Sequence, residues 1–169
     1  MKQFKLLFVA AALFVGFTTS VNAQDKIAHI DTQALVEAMP QMKAAQSQLE
    51  KLQKTYDTEI KSMLKELDAK MKQYDSEAST KTDAENEKRV IEVQGMQKNI
   101  NDYRQQALND LQTKEVDLLK PVLETARTAI QKVARAQGFL YVLDSSNGNG
   151  VILADGTDLL SSVKQELGI

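Results

Sequence analysis

The chain has 169 residues, 26% of them charged, with no cysteine, one histidine and a formal charge of −2. Those values exclude a disulfide framework, a zinc site built from Cys and His, and the basic balance that a nucleic-acid partner demands. With only two prolines and seven glycines, little interrupts long helices.

The first residues read as an export signal. Lys2 and Lys5 make a basic start, residues 6–17 are apolar, and Val21-Asn22-Ala23 offers small residues where a signal peptidase reads. Residues 1–23 are therefore read as a signal peptide, cleaved after Ala23. The apolar stretch would span only about 18 Å as a helix, short of a hydrocarbon core of roughly 30 Å, so it is not a membrane anchor. Without cysteine the lipoprotein route is closed, and the mature chain is expected to be free, soluble and periplasmic. Losing Lys2 and Lys5 leaves 19 basic residues against 23 acidic, a charge of −4. Stability has to come from helix packing and oligomerisation, because the disulfides usual in small exported domains cannot form.

Lys26-Ile27-Ala28-His29-Ile30 is β-prone, and Asp31-Thr32 is placed to cap a helical turn through Ala34 to Met39, which Pro40 ends. From 41 to about 76 there is no Gly or Pro. Met42, Ala45, Leu49, Leu52, Tyr56, Ile60, Met63, Leu67, Met71 and Tyr74 fall at spacings of three and four, which predicts one helical stripe. Leu49, Ile60 and Met71 recur every eleven residues, so this segment is expected to be nearly straight or slightly right-handed. Residues 76–83 break the stripe with cap-type side chains, Thr82 or Asp83 being the expected N-cap, and read as the tip of a hairpin.

A second helical run is expected over 84–137, with Val90, Val93, Met96, Ile100, Tyr103, Ala107, Leu111, Leu118, Val122, Ala126, Ile130 and Val133 on one side. It is longer than the first, so its far end must pack on something else. Pro121 sits inside it and predicts a kink where arm meets body. After Gly138, residues 139–144 read as a strand, 145–150 as a turn and 151–154 as a return strand. Thr157 is then expected to cap a last amphipathic helix from Asp158 to about Leu167. The expected fold is mainly α with a small β body: 24–40 and 121–169 form the body, and 41–120 form a long antiparallel coiled-coil hairpin arm. Short strands with open edges call for partners in other protomers. Ile27, Ile30, Leu140, Val142, Val151 and Leu153 are the residues expected to build that oligomerisation body.

No catalytic, cofactor-binding or metal site is legible. His29 is alone in a strand-like run and reads as a packed or edge residue. Asp144 with Asn147, Asn149 and Asp155 misses the calcium-loop spacing and reads as Asn-Gly turns. No phosphate-binding loop is present, and no nucleophile, acid and base come within reach. Lys88-Arg89, flanked by Glu85, Glu87 and Glu92, reads as a solvated face with i,i+4 pairing. Met42, Met63, Met71 and Met96 on the arms occupy stripe positions that favour filling the hairpin seam, and the other reading is a flexible surface that accepts many sequences. Met63, Met71, Tyr74, Val90, Met96 and Tyr103 are the set expected to contain contacts to a bound partner.

The order of elements, the opening Lys26-Ile27-Ala28-His29-Ile30-Asp31, the charged hairpin, Ala129-Ile130-Gln131-Lys132-Val133-Ala134, Tyr141-Val142-Leu143-Asp144 and Asp158-Leu159-Leu160 together resemble the Skp/OmpH family of periplasmic chaperones. The resemblance covers essentially the whole mature chain. It implies a homotrimer with a shared β body and a jellyfish-like outline, whose three arms enclose a cavity. There the family holds unfolded outer-membrane β-barrel proteins without ATP. The arm segment 41–120 departs from basic-armed members, with 14 basic and 15 acidic residues. That balance speaks against electrostatic capture of acidic clients or lipopolysaccharide phosphates, and leaves any membrane or lipopolysaccharide contact indirect. The reading from another class is a structural coiled-coil spacer or adaptor of an envelope assembly, which would carry further folded modules beside its hairpin.

Overall fold

A computed structural model describes residues 26–169, so the expected leader and its cleavage point lie outside the described residues. The elements in order are β1 (Ile27–Ile30), α1 (Thr32–Ala38), α2 (Pro40–Glu77), a 3-10 turn (Ala78–Thr80), α3 (Asp83–Ala136), β2 (Tyr141–Asp144), β3 (Thr157–Asp158) and α4 (Leu160–Leu167). The predicted hairpin is present, with helices of 38 and 54 residues. At 1.5 Å per residue these are about 57 and 81 Å long.

Local chemistry sets the ends of these helices. Asp31 caps α1 by accepting the Ala34 amide at 2.8 Å. Pro40 closes α1 and also opens α2 as its first residue, where a missing N–H costs nothing. Thr82 and Glu85 form a capping box at the start of α3: the Thr82 hydroxyl accepts the Glu85 amide, and Glu85 accepts the Thr82 amide at 2.9 Å. Pro121 lies within α3, which continues as helix on both sides of it. Along the arm only Ala45 and Leu67 of α2 and Ile100 and Ala107 of α3 are fully buried. The seam is therefore thin, with half-buried side chains between these points.

The surplus of α3 packs into the body, as its length requires. Val122, Ala126, Ala129, Val133 and Ala134 join Ala28, Ile30, Leu35, Met39, Phe139, Leu159 and Val163 in one core. Lys132 of α3 pairs with Glu166 of α4 at 2.5 Å on its surface.

The sheet is three-stranded in the order β2-β1-β3 and wholly parallel. Ile27 is opposite Tyr141, Ala28 opposite Val142 and His29 opposite Leu143. Successive side chains alternate between faces, so Ala28, Ile30 and Val142 point to the helices while Ile27, Tyr141 and Leu143 point away.

Two expectations are corrected here. Residues 151–154 do not form a return strand. The third strand is Thr157–Asp158, which pairs with β1 on the side away from β2. The chain after β2 must therefore cross the end of the sheet instead of folding back on β2. Thr157 does not cap the last helix, because its backbone is in the sheet opposite Ala28. α4 begins at Leu160, whose amide is taken by the Asp158 carboxylate at 2.8 Å.

Candidate functional site

Two surfaces stand out, one on the body and one on the arm. On the body, Ile27, Tyr141 and Leu143 are 50%, 65% and 47% exposed. A parallel sheet normally has both faces covered; on this one His29, opposite Leu143, sits half-buried beside Ile27, Tyr141 and Leu143, and no helix of the protomer packs over them. Leu140, Ile152 and Leu153 are exposed too, Leu140 on the helix side in a cavity it shares with Ile30, Val142 and α3. Of the residues expected to build the body, Ile30 is in the protomer's own core, Val142 and Val151 are half-buried, and Ile27, Leu140 and Leu153 are exposed.

Behind that face a polar cluster ties the sheet to α1. Asp144 Oδ2 accepts the Thr32 hydroxyl at 2.6 Å and the Asn149 amide at 2.6 Å. Its Oδ1 accepts the Ser146 amide and hydroxyl at 3.0 and 2.8 Å. Burial alone would push the Asp144 carboxyl up, but the donors from Thr32 and Ser146 outweigh it and bring its pKa to about 2. A carboxylate so fully engaged is a structural joint, and no cluster of metal-ligating side chains occurs among the described residues. His29 is half-buried; its Nδ1 lies 3.2 Å from Ser145 Oγ and its Nε2 3.3 Å from the Gly156 carbonyl oxygen, joining both ends of the crossing segment.

On the arm, charged and aromatic pairs reinforce the thin apolar seam. Tyr56 and Tyr103 meet edge to face with centroids 5.9 Å apart. Tyr56 donates to Asp110 at 3.0 Å and Tyr103 donates to Glu59, so each phenol reaches the opposite helix. The bond to Glu59 holds the Tyr103 pKa up at about 12. Nearer the tip, Lys70 pairs with Glu92 at 2.7 Å, and Tyr74 donates to the same carboxylate at 2.5 Å. The hydrogen bonds from Lys70 and Tyr74 hold the Glu92 carboxyl below its ordinary pKa.

Of the Lys88-Arg89 pair, Lys88 is exposed as expected, while Arg89 departs from the solvated face. Arg89 reaches across the hairpin to Glu77, and its guanidinium lies over the Tyr74 ring at 4.5 Å. Its side chain is only 16% exposed. Beside it runs a groove of about 730 Å³ whose lining includes Met71, Tyr74, Arg89, Val90 and Val93. The groove thus brings together three of the six expected contact residues, with Met71 and Val90 47% and 55% exposed. Met63, Met96 and Tyr103 are half-buried on the arm and do not line it. The reach of Arg89 follows from hairpin register: 56 pairs with 110, 74 with 92 and 77 with 89, all symmetric about position 83. That symmetry is the signal that would have found it.

A long helical hairpin on a small body, with exposed apolar surface on both, defines a protein that works by surface contact. The chain belongs to the family of OmpH-like outer membrane proteins, whose profile matches residues 26–167. It is 24% identical over 156 residues to the chaperone protein Skp of Pectobacterium atrosepticum, covering 92% of this chain and 93% of the relative. To Skp of Photorhabdus luminescens it is 25% identical over 143 residues, covering 84% and 87%. An OmpH-like crystal structure from Caulobacter crescentus shares the fold, with a TM-score of 0.76 at 20% identity over 85% of each chain. The family is one of chaperones, not of enzymes.

Proposed function

We propose that this protein is an ATP-independent periplasmic holdase that binds unfolded outer-membrane β-barrel proteins between its arms and keeps them from aggregating. The observation that carries this reading is apolar surface left open at two separated places, the outer sheet face and the arm-tip groove, in a chain of this family. The sheet face suits self-association, and a homotrimer would set three arms around one cavity. Many weak contacts at high effective concentration then retain a chain by avidity. Binding the unfolded state also holds off premature folding. Met63, Met71, Tyr74, Val90, Met96 and Tyr103 are the contact set of this reading, and Pro121 its point of arm bending. The export signal at 1–23 delivers the chain to the periplasm as a soluble protein, and among the described residues no helix is long and apolar enough to cross a membrane.

The test is light scattering. A urea-unfolded outer-membrane β-barrel is diluted into buffer containing the purified mature protein, without nucleotide, over a range of molar ratios. Suppression that saturates near one client per three chains is the expected result. No suppression at any ratio, from protein that is folded and helical, removes the proposal.

A further inference from the structure

Arg89 is held on one side and unsatisfied on the other. Its Nη2 pairs with Glu77 and its guanidinium covers Tyr74, yet its Nη1 is buried with no hydrogen-bond partner, the one such side-chain atom found among the described residues. A guanidinium stays protonated, so that donor cannot be silenced by losing its charge. A buried donor without an acceptor works against the state that buries it. What favours that state is an ion pair with a partly exposed carboxylate, Glu77 being 36% exposed, and the stack on Tyr74. Both are modest in strength.

We infer that Arg89 is the gate of the arm-tip groove. In the closed arm it lies on Tyr74. Turned outward, it gives its unsatisfied N–H to an acceptor oxygen and uncovers the part of the Tyr74 ring it lies on, Lys70 Nζ staying 5.4 Å from the ring centroid, and that part joins Met71 and Val90 as a seat for an apolar side chain. An extended polypeptide segment supplies both parts, a backbone carbonyl oxygen and an apolar side chain next to it. A phosphate fits less well, because Asp68 and Asp75 line the same groove and Asp68 already pairs with Lys72 at 2.7 Å. A neutral carbonyl meets no such repulsion. This inference rests on the reading of the protein as a holder of unfolded chains. It adds a residue that decides when the groove is open.

The test uses the mature protein with a urea-unfolded outer-membrane β-barrel as probe, and reads two quantities. One is the affinity for the probe. The other is the accessibility of the Tyr74 ring to a soluble paramagnetic agent by NMR. Glu77→Gln removes the charge that holds the gate. It is expected to bare the Tyr74 ring without client and to raise affinity by about tenfold, on the scale of one charged hydrogen bond lost. Arg89→Met keeps a side chain over the ring but has no donor to satisfy, so Tyr74 should stay shielded and affinity should fall by about tenfold. Circular dichroism checks that both variants keep the helical content of the parent. An unchanged ring and unchanged affinity in Glu77→Gln overturn the gate. Tyr74 still shielded in a complex that forms overturns it too, while the holdase reading stands. A ring bared by Glu77→Gln in a protein that binds no client keeps the gate and removes the polypeptide as its occupant.

Discussion

Tyr103 of α3 and Glu59 of α2 are joined across the arm by the phenol proton of the tyrosine, and the Tyr103 ring also meets Tyr56 edge to face at 5.9 Å. Tyr56 in turn donates to Asp110, so the two helices exchange one phenol each at mid-arm. With so few fully buried seam residues, this clasp has a large share in holding the helices in register.

Tyr103→Phe keeps the ring contact and removes the bond to Glu59. Amide exchange in the middle of the arm should quicken several-fold while the body core is unchanged, as hydrogen exchange with mass spectrometry would read. The same bond gives the arm an alkaline limit. The folded pKa of Tyr103 is raised to about 12 from 10.0, so its contribution is fully present below pH 10 and disappears as pH rises through about 12. A tyrosinate absorbance titration should show a late step that Tyr103→Phe abolishes.

Asp144 sets the opposite limit. Its carboxyl titrates at about 2 in the folded chain against an ordinary value of 3.8. The stability it supplies is present above pH 4 and is lost as pH falls toward 2. The shift corresponds to roughly 1–2 kcal/mol after allowance for partial solvent screening. Asp144→Asn would turn an NH2 group toward the hydroxyl or amide donors it now accepts. It should cost a similar amount at pH 7 and flatten the acid limb of a denaturation series. An acid limb unchanged in Asp144→Asn would show that the joint to Thr32 carries no stability.

Leu35 is fully buried where α1 packs on α3 and α4. Leu35→Ala leaves a cavity in a small core, and urea unfolding should show a loss of about 2–5 kcal/mol. The arm side chains are remote from it, so the Tyr56 and Tyr103 ring signals should be unchanged in the folded fraction.

The parts of the fold legible in the sequence were those set by local chemistry. Spacings of three and four from Met42 to Tyr74 require a helix, and Thr82 followed by Glu85 marks its partner's start. Val151-Ile152-Leu153 has the composition of a strand, but a strand exists only with a neighbour. Here β1 takes Thr157–Asp158 instead, a stretch of two residues too short to read as a strand from sequence. Arg89 escaped for a related reason. Its neighbours in sequence are acidic and suggest pairing along the helix, whereas its partners Glu77 and Tyr74 are brought by the register of the hairpin. Contacts made across a turn need the position of that turn to within a residue, and helix boundaries read from sequence are less certain than that.

The uncovered sheet face yields the last prediction. Tyr141 stands opposite Ile27 and Leu143 opposite His29 on the face away from the helices, and Ile27, Tyr141 and Leu143 each keep about half or more of their surface exposed. Substituting them changes no contact of the core, whose strand residues are Ala28 and Ile30 on the other face. Tyr141→Lys with Leu143→Lys should therefore leave circular dichroism unchanged while placing charges in the proposed interface. At about 2 kcal/mol for each buried anchor, association would weaken more than about a hundredfold. Sedimentation should then show single chains at concentrations where the parent is assembled. Because avidity needs several arms around one client, the double variant should also lose most of its suppression of aggregation with its arm-tip groove intact. An assembled double variant would place the interface elsewhere on the body, and a monomeric variant that still held clients would show that one arm suffices.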